Sequence, residues 1–299
     1  MAETSAIEWT DATVNFWWGC RKVGPGCDHC YAETWAARFG IPDYDASGVR
    51  RKIKGAVALI RKLQRGADKF EAEHGRRRRV FIQSMSDFFD NEVDPAWREE
   101  AWEEIMAADR LDIQLVTKRI SNVPKMIRDR WPAHVGLMVT VVNQDEADRD
   151  IPRLLQLKGA RGIPWVGLSI EPMLGAIDLT ALQIDRGDAM TWNCLTDEWS
   201  GFREPWGVPV IDWVIVGGES GSNARPLQVA WVWSLRDQCA AAGTPFFFKQ
   251  WGAWHADAMA YTDVHGRNPP PKMKIGVKRA GRIVAGRTHD EFPRIAHGQ

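Results

Sequence analysis

The chain has 299 residues, 44% apolar and 26% charged, and its 39 basic side chains balance 39 acidic ones. That length allows one large α/β barrel or two small domains, and the composition excludes a disordered or fibrous chain. Zero net charge excludes a bulk electrostatic pull toward nucleic acid or membrane and leaves only local patches to consider.

In chain order, a short apolar run, a polar end and a helical stretch recur. A first strand is expected near Ala12 to Phe16, then a cysteine-bearing loop and a helix from about Tyr31. Val80 to Ser84 reads as the next strand. Asp94-Pro95 starts a helix, with Asp as N-cap and Pro at its first position. Trp97, Trp102 and Ile105 share one face of that helix. Ile113 to Thr117 is a strand, followed by a helix from about Ser121. Leu137 to Val142 comes next, with Asn143 set to cap the element after it. Trp165 to Ile170 and Trp213 to Val216 are further strands, the latter running into Gly217-Gly218. A helix from about Val229 to Ala242 turns Val232, Leu235 and Cys239 inward and stops at Gly243. Pro245 to Phe248 closes the series.

About seven such units of continuous apolar strand and amphipathic helix predict a parallel sheet buried on both faces. The predicted fold is α/β: a full or partial parallel β/α barrel of the TIM type with a small C-terminal extension. No Gly-x-Gly-x-x-Gly follows the first strand, which weighs against a dinucleotide fold. The barrel is expected over residues 1–252, with an inserted loop at about 186–207. Residues 253–299 form a basic extension, read as a small hairpin around Lys274 to Lys278 or a loosely docked tail. No apolar run could cross a bilayer, and residues 1–9 are polar and acidic rather than a secretory signal. The expected location is the cytoplasm, with no membrane partner. The 16 tryptophans are unusually many; indole fills cores and also stacks on bases.

Three of the five cysteines, Cys20, Cys27 and Cys30, fall within eleven residues. In a reducing compartment such a cluster argues for metal rather than disulfides. Two thiolates separated by two residues can bind one metal centre, and Gly24-Pro25-Gly26 lets the loop fold back so that Cys20 can join. The loop comes after the first strand, which in a barrel is the C-terminal mouth. A structural zinc would want a fourth ligand, for which His29, Cys194 and Cys239 are the available groups. An iron–sulfur cluster held by three sulfurs leaves one iron open for a substrate or cofactor. The cluster is the favoured reading, and zinc stays open beside it.

Polar residues stand after the apolar runs at several strand ends: Ser84, Ser86 and Asp87, then Thr117, Lys118 and Arg119, then Asn143. Glu171, Glu219 and Lys249 do the same further along, with Gly217 and Gly218 able to let backbone approach a ligand. In a barrel these converge on the mouth that holds the cysteines. Strand ends also turn polar simply because they meet solvent, so the set weighs more than any member. The run Arg76 to Arg79 precedes a strand and is expected as a solvated loop at the opposite face. Arg51, Lys52, Lys54, Arg61, Lys62 and Arg65 form a second basic stretch that could meet phosphates.

The ordered motifs carry a resemblance. Trp9-Thr-Asp-Ala-Thr13 with Asn15, the three cysteines with Cys30-Tyr-Ala-Glu33, and Ser84-Met-Ser-Asp87 are among them. Thr117-Lys-Arg119, Glu171-Pro172, Gly217-Gly-Glu-Ser-Gly221, Ala224-Arg-Pro226 and Phe246 to Gly252 complete the series. Together they are similar to a phage and bacterial three-cysteine family of unknown function, which in turn resembles the radical SAM superfamily. The spacing Cys-x6-Cys-x2-Cys has three more residues in its first gap than the usual pattern of that superfamily.

The resemblance implies a [4Fe-4S] cluster on Cys20, Cys27 and Cys30, with S-adenosylmethionine chelating the open iron. Reductive cleavage would come next, with Ser84, Ser86, Asp87, Thr117, Lys118, Asn143, Glu171, Gly217, Gly218, Glu219 and Lys249 as cofactor-binding candidates. The expected partners are an electron donor, a partner protein, and a nucleic acid or nucleotide as favoured substrate. The rival reading is a zinc-stabilised nucleic-acid-binding module without catalysis.

Overall fold

Seven strands, apolar on both faces, pair in parallel: β1 (Ala12–Val14), β2 (Arg79–Ile82), β3 (Asp112–Thr117), β4 (Val135–Thr140), β5 (Val166–Ile170), β6 (Trp213–Gly217) and β7 (Phe246–Gln250). The computed structural model describes residues 1–41, 44–45, 50–128, 130–184, 190–200 and 207–295. The strands lie side by side in chain order. Crossovers between parallel neighbours are right-handed, so an order that never reverses puts every connection on one face of the sheet. A doubly wound sheet reverses its order midway; this one curls as a half-barrel with its helices outside.

Alternation along the strands divides the core in two. Val80, Ile82, Leu137, Val139, Val214 and Val216 face outward into the helix layer. Phe81, Met138, Trp213, Ile215 and Phe247 face inward, where they pack with Trp9 and Trp165. Gly136 on β4 makes room for this inner layer, since a Cβ there would sit 1.9 Å from the Trp165 ring.

The helices are α1 (Tyr31–Arg38), α2 (Ala56–Arg65), α3 (Ala67–His74), α4 (Pro95–Ala107), α5 (Val123–Met126), α6 (Gln144–Arg161), α7 (Val229–Ala242), α8 (Ala258–His265) and α9 (Val277–Ala280). Their ends obey local chemistry. Asp94 accepts from the Ala96 N–H at 2.9 Å and Asn143 from the Glu146 N–H at 3.0 Å, each satisfying a donor that the first turn leaves free. Gly243, at φ 71°, ends α7 in the left-handed conformation that glycine adopts without strain.

Three expectations change. The helix expected from Ser121 is a single turn, α5, because the chain dives inward at buried Ile127 and Trp131, whose indole donates to the Val135 carbonyl at 2.7 Å. Of the insertion expected at 186–207, residues 186–189 and 201–206 lie outside the described residues. Its described part is no loose loop. Trp192–Asn193 and Glu198–Trp199 form a short antiparallel ladder, and Leu182, Trp192 and Cys194 are wholly buried in the outer core, where a crossover helix would otherwise pack. The hairpin expected around Lys274 to Lys278 does not form. A 3-10 turn at Pro271–Met273, then Gly276 at φ 83°, leads into α9.

The tail is also not loosely docked. Phe248 donates its N–H to the His289 carbonyl at 3.0 Å, and Phe292 packs on Trp213 and Phe247 at ring separations of 5.2 and 5.4 Å. At the other edge, Ala2 and Thr13 exchange backbone hydrogen bonds. Both open edges of the arc are thereby covered, which removes the unpaired backbone that invites association.

The basic runs are structural as well. Arg76 forms a bidentate pair with Asp11, and Arg79 lies 3.4 Å from the Phe292 ring centre, so these residues knit the barrel bottom rather than a solvated loop. Lys52, Arg61 and Lys62 pair with Glu100, Glu104 and Glu3, which neutralises much of the second stretch. Among the described residues no helix is long and apolar enough to cross a membrane.

Candidate cluster and cofactor site

The inward positions of the strands change character along their length. At the N-terminal end they are Phe81, Met138, Trp213 and Phe247; toward the C-terminal end they become Gln83, Lys118, Thr140, Ser169, Glu171 and Lys249. The apolar half fills the barrel and the polar half lines a cavity of about 510 Å³ at its C-terminal mouth. All three motif cysteines border this cavity, with Ser84, Ser86, Asp87, Thr117, Lys118, Glu171 and Lys249. This is the mouth at which β/α barrels carry their chemistry.

The cysteine loop lies across that mouth. Cys20, Cys27 and Cys30 are free thiols, each half-buried. Burial pushes the Cys20 thiol up to about 12, although Arg119 works against it, and burial also raises Cys30. Cys194 and Cys239 are fully buried elsewhere; the Cys194 thiol donates to the Leu179 carbonyl at 3.3 Å, and Cys239 sits on α7. The loop's three thiols are therefore the sulfur set available at the cavity. As they stand, the described residues hold no group of three or more His, Cys, Asp or Glu side chains arranged around a single ion.

Two ion pairs fix the loop. At its start, buried Asp87 and Arg119 pair at 3.0 Å, and Arg119 also reaches the Cys20 Sγ at 3.5 Å and the Arg21 carbonyl. Asp87 further accepts from Thr117 Oγ1 at 2.9 Å and from the N–H groups of Phe89 and Lys118 at 2.9 and 3.0 Å. At its end, Glu219 accepts from the Arg225 N–H, Nε and Nη2 at 2.7, 2.9 and 2.7 Å. Glu219 also faces His29 Nδ1 at 3.0 Å, inside the Cys27 to Cys30 turn. Arg225 reaches on to Asp28 at 3.2 Å and to the Pro25 carbonyl at 2.8 Å. Burial would raise the Glu219 carboxyl, but its hydrogen bonds to Arg225 and His29 outweigh that and hold it below its ordinary value. The loop after β1 is thus tied to the ends of β3 and β6. Gly26 within the loop packs close to the barrel, where a Cβ would come 2.7 Å from Val142 Cγ1.

Apart from the Asp87–Arg119 pair, the charged groups lining the cavity are Lys118, Glu171, Lys249 and exposed Glu8. Glu171 Oε1 stands 3.0 Å from Lys249 Nζ, yet that buried oxygen has no well-directed hydrogen bond, while Oε2 accepts from Ser169 at 3.3 Å. Gly217 lies between them; a Cβ there would come 3.0 Å from Glu171 Oε1 and 3.5 Å from Lys249 Cβ. A carboxylate–ammonium pair at the cavity wall, joined by Lys118, fits a ligand that brings both a donor and an anion.

The sequence-derived candidates therefore separate. Ser84, Ser86, Asp87, Thr117, Lys118, Glu171 and Lys249 reach the cavity wall. Asn143 spends its side chain capping α6, and Glu219 spends its carboxylate on Arg225 and His29. Gly218 packs on backbone, with a Cβ there only 2.1 Å from the Trp251 carbonyl oxygen. Sequence reasoning passed over Arg225 as a brace, and Gln83, Thr140, Ser169 and Tyr31 as lining. The alternation of the strands was the available signal, since Thr140 shares parity with inward Met138 and Ser169 with inward Trp165.

A family model described as "Protein of unknown function (DUF5131)" matches residues 4–293. No curated protein matches. Among solved structures, a spore photoproduct lyase mutant with bound AdoMet and dinucleoside spore photoproduct is similar over 54% of this chain and 45% of that one, at 16% identity and a TM-score of 0.38. This chain thus spans less than half the length of that protein. With a family model covering nearly its whole length, the chain belongs to the DUF5131 family of proteins of unknown function.

Proposed function

We propose that this protein is a radical SAM-type enzyme that holds a [4Fe-4S] cluster on Cys20, Cys27 and Cys30 and binds S-adenosylmethionine beside it. The observation that carries the reading is that three free thiols border one cavity together with the Glu171–Lys249 ion pair and Lys118. Three thiolates cannot saturate a four-iron cluster, so one iron keeps an open position. Cys20, Cys27 and Cys30 would hold such a cluster, which, reduced by an external donor, would supply the one electron needed for reductive cleavage of S-adenosylmethionine to methionine and a 5′-deoxyadenosyl group able to take a hydrogen atom from substrate.

The chain's own groups supply binding, orientation and electrostatics. Glu171 suits the ammonium of the amino-acid moiety, and Lys118 and Lys249 suit its carboxylate. Ser84, Ser86, Thr140 and Ser169 offer hydroxyls to ribose or adenine edges. Asp87–Arg119 and Glu219–Arg225 hold the cysteine loop in place. The apolar inner layer closes the barrel below the site, which limits water at the reacting atoms. The favoured substrate is a nucleic acid or nucleotide.

Anaerobic purification with iron and sulfide analysis, then incubation with S-adenosylmethionine and a reductant, tests this. Loaded protein should release methionine and 5′-deoxyadenosine, slowly even without substrate. Cys20→Ala, Cys27→Ala and Cys30→Ala should each abolish iron loading, whereas Cys194→Ala and Cys239→Ala should retain it. A colourless protein carrying one tight zinc would refute the proposal.

A further inference from the structure

The exposed face of α1 carries a row of aromatic rings that the cofactor site leaves unexplained. Tyr31, Trp35 and Phe39 recur every fourth residue, one turn apart, and so share one side of the helix. They are 42%, 47% and 64% exposed, unusual for rings of this size. Trp35 and Phe39 stack at 6.1 Å with their planes 17° apart, and Trp18 flanks Phe39 at 5.8 Å. The row runs out of the cavity, because Tyr31 and Trp35 border it while Phe39 lies beyond.

Cations accompany the rings. Arg38 lies over Trp35 at 5.3 Å, and exposed Arg51 is paired across a short antiparallel ladder with Trp18. The acid on this helix, Glu33, is engaged by Lys22 at 2.8 Å. The face is therefore aromatic and cationic within a chain of zero net charge.

We infer that this row is a binding surface for single-stranded nucleic acid that leads a base toward the cavity. Planar rings accept bases of any sequence by stacking, and guanidinium groups beside them take the phosphates. Rings and arginines also anchor protein interfaces; here the row starts at the wall of a cavity lined with hydroxyls and has Arg38 and Arg51 beside it, which suits bases and their phosphates. A paired duplex hides its base faces, so a single strand or an unpaired loop is the form that fits. The surface's role in delivering substrate rests on the proposed radical chemistry, whereas binding itself does not.

Fluorescence anisotropy on the full chain tests the inference, with fluorescein-labelled single-stranded DNA and RNA of about 15 nucleotides and a duplex of the same sequence. Single strands should bind more tightly than duplex. Trp35→Ala and Phe39→Ala should each weaken binding about fivefold or more, and Arg51→Gln should lower the salt slope by about 0.7. Iron loading and slow S-adenosylmethionine cleavage should be unchanged in Phe39→Ala and Arg51→Gln. The inference is overturned if wild type binds no oligonucleotide at low salt, if the ring variants bind as wild type does, or if Phe39→Ala instead converts a self-associated protein to monomer. Oligonucleotide binding without deoxyadenosine formation would sink the radical chemistry and leave the surface standing; the reverse result would do the opposite.

Discussion

Replacing Glu219 by Gln removes one charge from the brace on the cysteine loop while keeping its shape. Glu219 is 5% exposed at its side chain and holds three Arg225 donors at 2.7–2.9 Å, with His29 at 3.0 Å. Breaking a fully buried ion pair from one side costs about 3–5 kcal/mol. Arg225 is 33% exposed, so water takes up part of its unpaired charge and the expected loss is about 2 kcal/mol. For a chain of this size that lowers Tm by roughly 3 °C. The surface pair Lys22–Glu33, at 2.8 Å with 37% and 39% exposure, is the control. Glu33→Gln should cost no more than about 1 kcal/mol. Calorimetric melting reads the global loss, and hydrogen exchange at residues 25–30 reads whether the loop opens first. If Glu219→Gln melts with wild type and those amides stay as protected, the brace has no energetic reality and Glu219 is free for another role.

The same geometry sets four further outcomes. Gly217→Ala places a methyl 3.0 Å from Glu171 Oε1; calorimetry should show S-adenosylmethionine affinity falling about tenfold or more with iron content unchanged. Asp94→Ala removes the α4 cap and should cost about 1 kcal/mol in denaturant unfolding. Phe292→Ala strips the tail's contacts with Trp213, Phe247 and Arg79 and should cost about 2 kcal/mol, with limited proteolysis cutting first after residue 281. Burial holds His134 and His289 below the ordinary imidazole value of 6.5. The unfolded chain therefore takes up protons first, and stability should fall as pH drops below about 6.5. His134→Gln should flatten that slope in melting curves taken across the window.

What the sequence made legible was governed by short-range chemistry. Asp94, Asn143 and Gly243 act on their own helix ends, and each cap forms where the residue type predicts it. The parallel half-barrel was readable because strands buried on both faces alternate with amphipathic helices. The inner layer could have been read further, since the change from Phe81 to Gln83 and from Phe247 to Lys249 already marks the mouth. Partners distant in sequence were not legible. Asp87 and Glu219 look like ligand carboxylates until Arg119 and Arg225 are seen to hold them. The segment between β5 and β6 was unreadable for a similar reason: its described residues Leu182, Trp192 and Cys194 fill the outer core without helical periodicity. The tail's docking depends on Phe292 meeting Trp213, a contact across 79 positions that no local pattern announces.

Charge at the mouth explains why two carboxylates there serve as braces. Three thiolates on the proposed metal centre would concentrate negative charge in a half-buried site, where burial raises the Cys20 and Cys30 thiols. Metal binding would expel their protons and call for compensation from fixed cations. Arg119 stands 3.5 Å from Cys20 Sγ, and Lys118 packs beneath Gly26 of the same loop. A guanidinium placed there without a partner would itself be costly to desolvate. Asp87 meets that cost and aims Arg119 at the sulfur, while taking up the Lys118 backbone N–H. Glu219 does the same for Arg225, which then grips Asp28 and the Pro25 carbonyl. With both carboxylates committed, Glu171, paired with Lys249 at 3.0 Å, and exposed Glu8 are the acids left at the cavity wall. Carboxylates set among Lys118 and Lys249 match a zwitterion better than a polyanion, because they would repel a phosphate placed at the lysines.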